Sequence, residues 1–101
     1  MNHSQQLGLQ ESQKTTIKNE VQKAQNRFFD LQWDLRDESD RMEALLQQRP
    51  INEARVLEQA DKMMALEREI KRTHLTLLIR MRNVLTPEQL AKLDAIRKMP
   101  R

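Results

Sequence analysis

The sequence predicts an all-α protein, a long antiparallel helical hairpin with short terminal helices that forms a dimer. Three observations predict it. One Gly and three Pro in 101 residues leave few points that break a helix. Tyr is absent, β-branched residues are sparse, and Leu, Gln, Glu, Lys, Arg, Ala and Met dominate, which are the good helix formers. Apolar residues recur alternately four and three positions apart along two long stretches, the 3.5-residue period of a packed helical seam. With 38% hydrophobic and 33% charged residues, the supply of core is thin for a compact globule.

Residues 1–8 are polar and read as a frayed segment, 9–98 as a single helical-hairpin domain, and 99–101 as a tail. From Glu11 to Gln48 there is neither Gly nor Pro. Ile17, Val21, Ala24, Phe28, Leu31, Leu35, Met42 and Leu45 form the seam of this first helix, and Glu38 is its one polar intruder. Pro50 then disfavours helix at Arg49, and Asn52 can cap the next helix.

The second helix runs from Glu53 to about Val84. Its seam reads Val56, Ala60, Met63, Glu67, Ile70, His74, Leu77, Met81 and Val84. Leu57, Met64, Leu66, Leu75 and Leu78 widen the apolar face. Glu58–Lys62 and Glu67–Lys71 have the favourable i,i+4 order, each contributing a few tenths of a kcal/mol. Two helices leave this broad stripe partly uncovered, so a second copy of the chain, or the terminal segments folded back, is expected over it.

A third, short helix begins at Leu85-Thr86-Pro87-Glu88-Gln89 and carries Leu90, Leu93 and Ile96. Thr86 is placed to cap, Pro87 sits at the first helical position, and Glu88 suits the positive end of the helix dipole. Gln89 closes a capping box three residues after the cap.

The net charge of +3 is unevenly spread. From Lys71 onward eight basic residues stand against two acidic ones, and the rest of the chain carries a net −3. No nucleic-acid-binding motif accompanies the basic end, so no nucleic-acid partner is expected. The absence of Cys excludes disulfides and thiolate metal sites. No run approaches the ~20 apolar residues of a membrane span, so no membrane insertion is expected, and no export signal is visible. There is no Ser/His/Asp grouping, no phosphate-cradling glycine loop and no HExxH, so neither an enzyme nor a cofactor is expected.

Phe29 and Trp33 lie i,i+4 on the first helix, off its seam, with Arg36 nearby. They are the candidate surface for client or partner chains, since exposed aromatic patches mark interaction sites. The alternative is that Trp33 packs in a dimer interface or under the last helix. Asp30, Asp34, Asp37, Glu38, Asp40 and Glu43 make the same helix acidic, which reads as a solvated face, with Arg41 a local partner for Asp37. His74 reads as a core-edge histidine. His3 could chelate Cu²⁺ or Ni²⁺ only together with a free terminal amine. No metal site is assigned, and His3 and His74 are the only histidine candidates.

Leu85-Thr86-Pro87-Glu88-Gln89, following the charged helix that ends in Arg80-Met81-Arg82-Asn83-Val84, resembles the LTxxQ motif of the Spy and CpxP family. That family includes heavy-metal-resistance proteins of the CnrX and ZraP type. Leu9-Gln10-Glu11-Ser12-Gln13 stands where a second copy of the motif opens the first long helix, keeping Leu9 and Gln13 but with Gln10 in place of Thr. The resemblance implies a periplasmic hairpin that dimerises into a cradle. It implies either ATP-independent holding of unfolded or partly folded envelope proteins in a stress response, or the sensing of divalent metal ions. The chain lacks the His-rich ligand sets of the sensors. The expected function is therefore a non-enzymatic chaperone-type binding protein, and a periplasmic heavy-metal sensor or resistance protein is the alternative.

Overall fold

A computed structural model describes residues 7–98. It contains three helices, α1 (Glu11–Leu46), α2 (Glu53–Val84) and α3 (Pro87–Lys98), and no strand among the described residues. Helices α1 and α2 pair as a hairpin, as the two seams predict. Contacts gather into two compact units. One, the tip unit, runs from Ala24 to Leu75. The other, the terminal unit, combines the described residues up to Lys23 with those from Thr76 onward.

In the tip unit, α1 turns its expected seam inward. Ala24 and Leu31 are buried, and Phe28, Leu35, Glu38, Met42 and Leu45 are half-buried. Leu31, at 2% exposure, is the most deeply packed side chain. The end of α1 tightens, with Gln47 N donating to the Ala44 carbonyl at 3.2 Å and Gln48 N to that of Leu45 at 3.4 Å. Past Pro50 the Asn52 cap forms, its Oδ1 accepting from Arg55 N at 3.2 Å. This satisfies one of the donors that every helix start leaves without an intrahelical partner.

On α2 the seam departs from expectation. Val56, Met63 and Ile70 pack inward, but Glu67 and His74 are exposed. Ala60 keeps its expected half-buried place, while Gln59, Leu66 and Thr73 pack inward beside the seam, Leu66 and Thr73 where Glu67 and His74 were expected. Val56, Met63 and Ile70 have candidate partners both three and four residues on, and the helix rotates toward the three-residue set. That choice half-buries Leu66 and leaves the charge of Glu67 in water. Thr73 tolerates its half-buried place because its hydroxyl donates to the Glu69 carbonyl at 2.8 Å.

In the terminal unit, Ile17 and Val21 of α1, Leu77, Met81 and Val84 of α2, and Leu90, Leu93 and Ile96 of α3 are all half-buried. Two cross-element ion pairs flank them, Arg80–Glu20 at 3.2 Å and Arg82–Asp94 at 3.2 Å. Of the segment expected to fray, Leu7 is buried at 7% exposure and Gly8 adopts φ +69°. Packing therefore takes in Leu7, while Gly8 is exposed. His3 lies outside the described residues.

Candidate binding surfaces

Three arrangements stand out, each contained in one unit. The first is the aromatic patch of the tip unit. Phe29 and Trp33 point away from the α1 seam and remain 63% and 52% exposed. Their rings meet edge to face, with centroids 6.1 Å apart and planes at 69°, the arrangement that aromatic quadrupoles favour. The Arg36 guanidinium lies over Trp33, 5.8 Å from the ring centroid, within cation–π range. The sequence-predicted trio thus comes together as one exposed cluster, its members spaced i,i+4 and i,i+3 along one helix face.

The second arrangement crosses the hairpin inside the tip unit. Gln59, 5% exposed, donates from Nε2 to the Glu38 backbone carbonyl and to Glu38 Oε1, both at 2.7 Å. Glu38, the polar intruder of the α1 seam, thereby gains a partner on α2. Its outer oxygen accepts from Arg41 Nη1 at 2.6 Å. Arg41 thus pairs with Glu38 rather than with the expected Asp37. The Gln59 amide holds the Glu38 carboxyl below its ordinary range; burial opposes it with the next largest effect, and Arg41 and then Lys62 add to the lowering. Asp34, Asp37, Lys62, Leu66 and Glu69 line the groove beside this pair.

The third is a side-chain amide pair in the terminal unit that sequence reasoning missed. Gln89, 7% exposed, makes the capping box with Thr86: Gln89 N donates to Thr86 Oγ1 at 3.1 Å, and Thr86 N donates to Gln89 Oε1 at 2.8 Å. The same Oε1 accepts from Gln13 Nε2 at 2.8 Å, while Gln89 Nε2 donates to Gln13 Oε1 at 3.1 Å and to the Gly8 carbonyl at 3.1 Å. Gln13 completes the set by donating to the Val84 carbonyl at 2.9 Å and accepting from Gln10 N at 2.9 Å. Both amides use all four of their hydrogen-bonding positions. Leu9–Gln13 and Leu85–Gln89 share one spacing, and that repeat was the available signal that the two glutamines occupy equivalent places. Pro87 and Glu88 lie exposed in the first turn of α3, while Leu9 and Leu85 are half-buried beside the pair.

His74 is exposed, and among the described residues no group of three or more His, Asp or Glu is placed to hold a metal ion. No described helix is long and apolar enough to cross a membrane.

The fold and these surfaces define an all-helical hairpin protein in which the Gln residues of two equally spaced Leu-to-Gln segments meet as an amide pair. The family model described as heavy-metal resistance matches residues 2–92, and the chain belongs to that family. No curated protein and no solved structure matches the chain at a significant level.

Proposed function

We propose that the chain serves heavy-metal resistance in the periplasm as a non-enzymatic binding protein of the Spy and CpxP type. The family match over residues 2–92 is the observation that carries this reading. The Thr86–Gln89 box and its Gln13 counterpart support the narrower placement, because they give both halves of the resembling motif one physical task. A strain lacking the protein is expected to lose growth at inhibitory Zn²⁺, Cu²⁺, Ni²⁺ or Co²⁺, and the protein supplied to the periplasm is expected to restore it. Unchanged tolerance to all four metals would remove the reading. Calorimetric titration of the purified protein with the same ions separates metal capture from a protein-directed role.

A second reading is favoured by the exposed Phe29–Trp33–Arg36 cluster: ATP-independent holding of unfolded or partly folded envelope proteins. Weak apolar contact combined with longer-range charge attraction can retain a client without fixing its structure. The protein is then expected to suppress aggregation of a denatured test protein, and Phe29→Ala with Trp33→Ala to weaken that protection severalfold. Equal protection by the double variant would show that the patch is not the holding surface.

A homodimer belongs to both readings. In the tip unit Leu57, Met64 and Leu75 of α2 remain 57%, 52% and 54% exposed, and an isologous contact with a second copy would cover them.

A further inference from the structure

The aromatic cluster of α1 sits in a field of one sign. Between Phe29 and Asp40 there are five acidic residues and a single basic one, Arg36. Asp30 and Asp37 stand three residues before and four after Trp33, so on the helix surface they are its neighbours. Phe29 and Arg36 flank the other side of the same ring. The one cation of the stretch lies over Trp33. Asp30, Asp34, Asp37 and Asp40 take no part in the ion pairs recorded among the described residues. Glu38, by contrast, is engaged by Gln59 and Arg41. The surface thus offers two exposed rings, one already accepting a guanidinium, bordered by carboxylates that form no ion pair among the described residues.

We infer that this face docks a basic amphipathic segment of another protein, whose apolar side chains meet Phe29 and Trp33 and whose Lys or Arg side chains meet Asp30, Asp34, Asp37 and Asp40. The inference rests on the client-holding reading above and narrows it to a class of client. An acidic segment is repelled from the same rings, because like charges brought together across a contact are disfavoured. The attraction is screened by salt, since all the charges involved are solvent-exposed.

Trp33 is the only tryptophan, so its emission reports on the patch directly. The probes are two designed amphipathic peptides with the same leucine face, one bearing Lys and the other Glu on the opposite face. At low ionic strength the Lys peptide is expected to shift Trp33 emission to the blue in a saturable way, and added salt to weaken its binding. Asp30→Asn with Asp37→Asn is expected to weaken binding about three- to tenfold, in keeping with two exposed charge contacts. Should that variant fold poorly by circular dichroism, the salt series on the parent protein and the comparison of the two peptides still decide the matter. Equal response to both peptides would overturn the charge assignment while leaving the holding surface in place. No response to either would overturn the client-holding reading as well. A blue shift that grows with protein concentration in the absence of peptide would assign the face to a second copy of the chain and overturn the inference.

Discussion

Gln89 has no position of its amide left free, and Gln13 is in the same state. Removing one member therefore does more than delete one bond. Gln89→Leu leaves the Gln13 amide, Thr86 N and the Gly8 carbonyl each short of a partner in a half-buried place, which is expected to cost about 1–3 kcal/mol. The double variant Gln13→Leu, Gln89→Leu removes both amides together and is expected to cost less than the sum of the single changes. Urea unfolding of the four proteins measures the coupling. Glu38 supplies a second prediction at this scale. Its native pKa is lowered, so the unfolded chain takes up the proton more readily than the native one. The stability it contributes is complete above the unfolded value, near 4.5, and is lost as pH falls through the lowered native value. An NMR titration of the Glu38 carboxyl is expected to show that low midpoint, and Gln59→Leu is expected to move it upward. Neither amide partnership was legible in the sequence beyond the shared Leu-to-Gln spacing. A long-range side-chain bond leaves no periodic trace.

The elements were legible to different degrees, and the reasons are physical. Every position of the α1 seam was readable because a single stripe, interrupted only by Glu38, keeps the four-and-three spacing, and the few apolar residues off it, such as Phe29 and Trp33, do not form a competing stripe along the helix. Helix α2 has apolar residues on more than one face, so periodicity alone allowed two rotations. The rotation adopted half-buries Leu66 and exposes His74 and Glu67. Leu66→Ala is accordingly expected to destabilise the protein by about 1–2 kcal/mol, below the usual cost at a fully buried leucine. His74→Ala and Glu67→Ala are expected to stay within about 0.5 kcal/mol of the parent, as surface changes do. Thermal or urea unfolding of the three variants distinguishes the two rotations. The caps at Asn52 and Thr86 were readable because they depend on neighbours three residues away rather than on tertiary packing.

For the molecule as a whole, the aromatic surface could be anticipated because Phe29 and Trp33 fall off a well-defined seam, whereas the outer face of α2 could be seen only as surplus. In the tip unit that surplus is Leu57, Met64 and Leu75, all more than half exposed. Leu57 and Met64 are seven residues apart and so share one stripe of α2. Large aliphatic side chains aligned in this way signal an association surface when they recur along a helix, whereas scattered singly they need no explanation. Association through this stripe would make the unfolding midpoint rise with protein concentration, because a second copy binds the folded state alone. Sedimentation equilibrium is expected to show a concentration-dependent dimer. Leu57→Lys with Met64→Lys is expected to shift it to monomer while leaving helix content unchanged, since neither side chain belongs to the hairpin seam. The midpoint of the variant should then be independent of concentration and equal to that of the parent at high dilution. A parent protein that stays monomeric at every concentration would leave the stripe to a different partner, and a variant that loses helix content would place Leu57 or Met64 in the hairpin core.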